Sequence, residues 1–341
     1  MTSYLEAEIA EQPEALTRFV ERQRPYAEEI AALFRAHDVQ YILIASRGSS
    51  SNAARYAQYL LGRAHRVSVA FATPSLYTLY EQPPRLDGAL VIGISQSGES
   101  PDVRAVIEEA SRQGRPTVAI TNKADSPLGR ASDAVLQLEA GDERAVAATK
   151  TYVNSLGAIA LLFAVTTGAG LAELQQIPAQ LARQIELSRE SVEKLGLLEG
   201  GTVVARGVNY STAFETALKI RELSGLLFEA YSGADLMHGP VAAIGPGWPV
   251  FAVAPSGPAL PAMLETLDGV AARGARLIVA ADDPDVLARA DVPLPLLPGV
   301  PEWLSPLTAV VPGQLAALQL ARLRGIDLDQ PLGLSKVTLT R

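Results

Sequence analysis

The chain has 341 residues, 48% of them hydrophobic, and a formal charge of −8 at pH 7. That length and apolar content allow two ordinary domains with real cores and exclude a disordered chain. The acidic balance argues against a nucleic-acid or anionic-membrane surface, which needs clustered Lys and Arg, and makes a small molecule the expected partner.

There is no cysteine, so disulfides, thiolate metal sites and cysteine nucleophiles are excluded. The three histidines, His37, His65 and His238, lie far apart in sequence without metal-ligand spacing, and no metal is expected.

Residues 1–26 read as a helical segment. Their opening, MTSYLEAEIAEQPEAL, is acidic and amphipathic, unlike a secretory signal. The longest apolar run, around Leu156 to Val165, is about half the ~20 residues a membrane helix requires. A cytoplasmic protein with no membrane partner is expected.

Residues 27–170 form a first domain. VQYILIAS (Val39 to Ser46) precedes the helical SNAARYAQYLLGR, and RVSVAFAT, ALVIGI and PTVAI follow at crossover intervals. Short β-branched runs alternating with helical patterns are the signature of a parallel sheet with crossover helices. Residues 171–197 read as a polar-faced helical connector. In the second domain, 198–330, TVVAR leads into a helix written as TAFETALKIRELSGLL, followed by VFAVA, RLIVA and the short DVPLPL. Residues 331–341 form a tail.

The second domain repeats the first, because equivalent features recur at a constant offset. Arg47-Gly48 matches Arg206-Gly207 (206 − 47 = 159), and Ser97-Gly98 matches Ser256-Gly257 (256 − 97 = 159). Val118 matches Leu277 at 159, while Asp133 and Asp291, each opening a last short strand, differ by 158. The expected fold is α/β: two similar three-layer αβα, flavodoxin-like domains with parallel sheets, in tandem.

The copies differ chemically at the loop after the third strand. The first has SQSGES (Ser95 to Ser100); the second has APSGPA, with Ala254, Pro255 and Pro258. In an open parallel sheet, ligands gather at the carboxyl ends of the strands near the switch point, where both ASRGSSSN (Ala45 to Asn52) and SQSGES lie. Each loop opens a helix, whose free N–H groups and partial positive charge suit an anion. Hydroxyls, backbone amides and a close-approach glycine, Gly98, can hold phosphate oxygens without any Lys or Arg. Ser100 before Pro101 is also a good N-cap, worth ~1 kcal/mol without a ligand; capping leaves Ser95, Gln96 and Ser97 unexplained. Neither GxGxxG nor GxxxxGK[ST] stands at a strand-helix junction, so a phosphorylated small molecule fits better than a dinucleotide.

Three groups are candidates for acid-base chemistry. In TAFETALKIRE, Thr212 and Glu215 are spaced as a capping box, and Glu215, Lys219 and Glu222 share one helical face. A solvated ion-pair ladder accounts for Glu215 and Lys219 at least as well as function does; Glu222 is the better site candidate. His238 precedes Gly-Pro, a constrained turn, and imidazole suits proton transfer near neutral pH. Lys336, in the tail, is one of only five lysines among 29 basic residues, which favours a role that arginine cannot fill.

The duplicated αβα pattern, SQSGES, VAATKTY (Val146 to Tyr152), ETALKIRE, HGP and the terminal DQPLGLSKVT together resemble the sugar isomerase (SIS) domain family. They look most like the isomerase half of glutamine-dependent glucosamine-6-phosphate synthase and its relatives without a glutaminase. The resemblance implies a sugar phosphate bound by Ser49, Ser50, Ser95, Gln96, Ser97, Ser100, Val146 and Lys219. It implies that Glu222 shuttles a proton between C1 and C2, that His238, contributed across a homodimer, assists ring opening, and that Lys336 contacts the open-chain sugar and can form an imine with a ketose. It implies no metal and no organic cofactor. VAATK and LSKVTLTR look more like the SIS-type glucosamine-6-phosphate deaminases, and the absence of cysteine removes glutamine as nitrogen donor by the synthase's route. A glucosamine-6-phosphate deaminase is the expectation; another SIS aldose-ketose isomerase, a fructosamine-phosphate deglycase and a non-catalytic sugar-phosphate sensor are its alternatives.

Overall fold

The structure is a computed structural model that describes residues 3–329 and Lys336; the rest of the tail, 331–335 and 337–341, lies outside the described residues. In chain order, α1 (Tyr4–Arg22) and α2 (Arg24–Ala36) precede β1 (Tyr41–Ser46), α3 (Gly48–His65), β2 (Ser68–Phe71), α4 (Ser75–Thr78), β3 (Ala89–Ile94), α5 (Pro101–Arg112), β4 (Thr117–Thr121), α6 (Pro127–Arg130), β5 (Ala134–Gln137) and α7 (Lys150–Thr167). Next come α8 (Leu171–Val192), β6 (Gly200–Ala205), α9 (Tyr210–Ser224), β7 (Leu227–Ser232), α10 (Gly233–Met237), β8 (Pro249–Val253), α11 (Leu260–Ala271), β9 (Arg276–Ala281), α12 (Pro284–Leu287), β10 (Val292–Pro295) and α13 (Pro306–Leu323). The described residues fall into two compact units: 14–143 and 150–175 with Lys336, and 3–13, 144–149 and 176–329. No helix among them is long and apolar enough to cross a membrane.

The first unit is built on a parallel sheet of order β2-β1-β3-β4-β5. All six residues of β3, ALVIGI, are buried, as are the last five of β1, because helices cover both faces of such a sheet. On one face α5 supplies Val103, Val106, Ile107 and Ala110, the i, i+3, i+4, i+7 stripe of an amphipathic helix, against Leu43, Ala45 and Val91. Burying each of the three larger side chains contributes roughly 1.5–3 kcal/mol. Pro101 at the first helical position starts α5, where its missing N–H costs nothing. Elsewhere in the unit α7 packs on both α2 and α3.

The second unit repeats this topology, with a parallel sheet of order β10-β9-β8-β6-β7. Its core joins Val204, Val250, Ala252 and Val279 to Leu236, Met263, Leu267 and Val270. The pairing registers repeat as well. Tyr41 pairs with Ser68 and Gly200 with Leu227, while Leu43 pairs with Val91 and Thr202 with Val250, each shifted by 159 (200 − 41, 227 − 68, 202 − 43, 250 − 91).

Three expectations need correction. Val118 is not the counterpart of Leu277: Val91 pairs with Thr117 and Val250 with Leu277, so the offset at this strand is 277 − 117 = 160. One hydrogen bond marks the match. The N–H of Thr117 donates to Asp133 Oδ2 at 2.8 Å, and that of Leu277 to Asp291 Oδ2 at 2.7 Å. Secondly, the helix read through to LSGLL stops at Ser224, where Gly225 takes φ +70° and its N–H bonds the carbonyl of Arg221, a left-handed terminus that glycine adopts without strain. Leu227 then opens β7, a strand the pattern did not announce. Thirdly, Thr212 and Glu215 form no capping box. A 3-10 turn at Gly207–Asn209 starts the helix earlier, so Thr212 lies inside it and donates to Asn209 Oδ1 at 3.0 Å.

Candidate functional site

In the first unit β1 and β3 are neighbours, with Ser46 beside Ile94 at their carboxyl ends. From there the chain runs to β2 through α3 on one side and to β4 through α5 on the other, so this corner is the switch point. Both expected loops leave it side by side. Gly48 opens α3 at φ +52°, and Ser46 Oγ lies 3.1 Å from Ser51 Oγ. Ser49 and Ser50, in the first turn of α3, are half-buried.

The second loop is folded on itself. Ser95 Oγ lies 3.3 Å from Ser100 Oγ and accepts the N–H of Gly98 at 3.2 Å, while Ser97 Oγ accepts the N–H of Glu99 at 3.2 Å. Ser95 and Ser97 are buried and Gln96 is half-buried. Gly98 has φ +68°, and a methyl group there would collide with the Ser126 side chain, so only glycine closes this turn.

Ser100 stands at the N-cap position, as expected, but its hydroxyl makes no capping bond. That end of the helix is served instead by Asp102, whose Oδ1 accepts the N–H of Val103 at 2.9 Å. Asp102 Oδ2 takes a 2.8 Å bond from Arg47 Nε. This ion pair ties the α3 loop to the start of α5 and leaves the Ser100 hydroxyl facing Ser95.

In the second unit Glu215, Lys219 and Glu222 share one face of α9, but the ladder is not solvated. Glu215 and Lys219 are fully buried, and Glu222 keeps about a quarter of its side-chain exposure, 26%. Lys219 Nζ is 2.5 Å from Glu222 Oε2 and 3.4 Å from Glu215 Oε1. Burial follows from α13, which packs along α9 with Gly313 against Thr216. Lys219, expected to contact ligand, is thus held between two carboxylates, and Glu222 Oε1 has no partner among the described residues.

His238 caps the five-residue α10, itself started by Ser232 accepting the N–H of Asp235. It is exposed. Gly239 follows with φ +148°, which fixes the chain direction after the imidazole. Val146 is half-buried in the segment 144–149, whose backbone N–H groups at Arg144 and Ala145 donate to the buried Glu8 carboxylate.

Sequence reasoning passed over Glu143. In the first unit its side chain is fully buried and 2.7 Å from Lys336 Nζ. It also accepts from Thr151 N at 3.1 Å and Thr151 Oγ1 at 2.7 Å, in the first turn of α7. The acidic run GDER gives no periodic signal that would separate a buried Glu from a solvated loop. Among the described residues no group of three or more His, Asp or Glu could hold a metal ion.

The second unit's own switch point lies after β6 and β8, where Ala205 neighbours Val253. Here Gly207 and Gly257 also have positive φ, +62° and +148°, and the Glu302 side chain packs against both. A methyl group on Gly257 would meet Glu302 Cγ at 2.5 Å, and one on Gly207 would sit 3.4 Å from Glu302 Oε1.

Comparisons with known proteins agree with this architecture. The chain is 35% identical, over 96% of its length, to the isomerizing glutamine–fructose-6-phosphate aminotransferase of Pyrococcus horikoshii, and spans about half, 56%, of that relative. A proposed phosphosugar isomerase from Silicibacter pomeroyi superposes with a TM-score of 0.85 at 32% identity, covering 95% of this chain and 99% of that one. Glucosamine-6-phosphate deaminase from Thermotoga maritima superposes with a TM-score of 0.81, covering 99% of this chain and 100% of that one. Its 23% identity speaks for the fold alone. The SIS domain model matches twice, over residues 35–165 and 202–324, one copy on each sheet. The chain is a member of the SIS domain family, with two SIS repeats.

Proposed function

We propose that this protein is a sugar phosphate isomerase acting as an amino-sugar phosphate deaminase, converting glucosamine 6-phosphate and water to fructose 6-phosphate and ammonia. The observation that carries the reading is the hydroxyl cradle at the first switch point. Ser95 and Ser100 face each other at the start of α5, and the capping work is done by Asp102. A dianionic phosphate there receives hydroxyl and backbone N–H donors at a helix start, with no cation required.

The reaction then needs a carboxylate that moves one proton between neighbouring carbons. In the open-chain aldehyde, Glu222 takes the proton from C2, the electron pair forms the C1–C2 double bond, and the C1 oxygen that receives the displaced carbonyl pair takes a proton from water, giving the enaminol. Return of the Glu222 proton to C1 leaves the C2 iminium, which water hydrolyses to the ketose with release of ammonia and of the proton borrowed from water. Lys219 holds Glu222 Oε2, so Oε1 is the oxygen that works. His238, exposed at the end of α10, opens the ring as general acid-base, supplied by the second copy of a homodimer. Lys336 contacts the open-chain sugar.

The test is direct. Purified protein is incubated with glucosamine 6-phosphate, and ammonia and fructose 6-phosphate are assayed together; equimolar products are expected. A folded preparation that forms neither product overturns the reading. Fructose 6-phosphate made from glucose 6-phosphate alone points to simple isomerisation.

A further inference from the structure

Glu143 has no part in the scheme above, yet it is a fully buried carboxylate. Burying a carboxylate is costly unless donors and a counter-charge surround it. The N–H and hydroxyl of Thr151 supply the donors. Because Thr151 lies in the first turn of α7, the helix start favours negative charge there. The carboxylate is therefore fixed by the body of the unit, and the ammonium of Lys336 sits 2.7 Å from it.

The loop that carries Glu143 is also tied to the cradle. Asn122 N donates to the carbonyl of Gln96 at 3.1 Å. The Asn122 side chain accepts the N–H of Ala140 at 3.0 Å and donates to the carbonyl of Gly141 at 2.8 Å. Thus Gln96, Asn122, Ala140 and Gly141 form a continuous hydrogen-bonded path from the cradle loop to the segment that ends in Glu143. A lysine alone, on a flexible four-carbon stem, has no such fixed place.

We propose that Glu143 is a positioning residue that sets the Lys336 ammonium on the rim of the cradle. Its role in turnover rests on the sugar-phosphate reading; its hold on Lys336 does not. Positioning errors of about 1 Å at a reacting group can cost on the order of a hundredfold in rate, which is the loss expected for Glu143→Gln.

Two measurements separate the claims. Pulse labelling with acetic anhydride, read by mass spectrometry with Lys123 as internal reference, is expected to show several-fold faster modification of Lys336 in Glu143→Gln. An unchanged rate overturns the positioning role whether or not the protein turns over glucosamine 6-phosphate. In the ammonia assay, Glu143→Gln, Lys336→Ala and the double variant are expected to fall to a similar level, since the first acts through the second. Independent, multiplying losses overturn it. Should Glu143→Gln fail to fold, Thr151→Val, which removes one anchor of the carboxylate, is expected to raise Lys336 labelling in the same direction, and no change there overturns the proposal equally. If the parent protein forms no ammonia, the function proposed above fails while the labelling result still decides this one.

Discussion

Lys219 Nζ stands 2.5 Å from Glu222 Oε2, and the lysine is almost wholly inaccessible to solvent. A buried ammonium is tolerated because carboxylates flank it, and removing it leaves Glu215 buried without that counter-charge. Lys219→Met is therefore expected to destabilise the fold by about 3–5 kcal/mol, whereas Lys219→Met with Glu215→Gln recovers part of the loss. Urea unfolding of the single and double variants checks this. A single variant within experimental error of the parent would mean the ladder carries no structural weight.

The same helix was half legible from the chain. A spacing of i, i+4 and i+7 put the three charges on one face, but the spacing cannot say what covers that face. The cover is α13, about ninety residues later in the chain, with Gly313 placed against Thr216. Strands whose every residue is buried, such as ALVIGI, announced themselves. LFEAYS did not, since only Phe228 in β7 is buried, and its polar alternation merged with the end of the preceding helix. Adding the repeat offset to Ser68 gives 227, the first residue of β7, so the missing strand was implicit in the duplication. Glu143 carried no such trace, because its partners Thr151 and Lys336 are eight and 193 residues away.

The cradle yields a pair of contrasting outcomes. Ser95→Ala removes a hydroxyl that faces Ser100 and is expected to weaken fructose 6-phosphate binding by about 1.5–3 kcal/mol, the worth of a hydrogen bond to a charged group. Gly98→Ala acts on the backbone. Its φ of +68° costs a non-glycine residue about 1–2 kcal/mol, and the added methyl group collides with Ser126, so both melting temperature and binding are expected to fall. Calorimetry beside thermal denaturation distinguishes the two; equal effects on stability would argue against the assigned roles.

Glu222→Gln is expected to lower turnover of glucosamine 6-phosphate by about a hundredfold to ten-thousandfold while phosphate binding survives. His238→Asn is expected to be similarly impaired. If His238 serves the partner's substrate, mixing the two inactive variants under subunit exchange restores up to about a quarter of the parent's sites, because random pairing makes half of the dimers mixed and each mixed dimer has one intact site. Mixed dimers without any recovery would place both groups in service of the same chain.

His65 gives the protein a pH response unrelated to catalysis. Its ring stacks on Phe34 with centroids 3.8 Å apart, and burial holds the imidazole below its ordinary value of 6.5. The unfolded chain therefore binds a proton more readily than the folded one. The stability from neutral His65 is complete above about pH 6.5 and is lost progressively as pH falls below it. His65→Phe keeps a ring against Phe34 and removes the titration. Urea midpoints at pH 7.5 and pH 5.5 are expected to differ less in that variant than in the parent.

Glu302 gives the duplication its asymmetry. Two sheets of one topology present two corners suited to an anion, and in the second a carboxylate of the chain itself lies across the paired glycines. That side chain fills the space beside the two glycines which a phosphate would need for close approach to the backbone. Each chain should thus behave as a single-site receptor: titration with fructose 6-phosphate saturates at one equivalent per chain, follows a simple hyperbola within each chain, and leaves the second sheet free to evolve as a platform for chemistry.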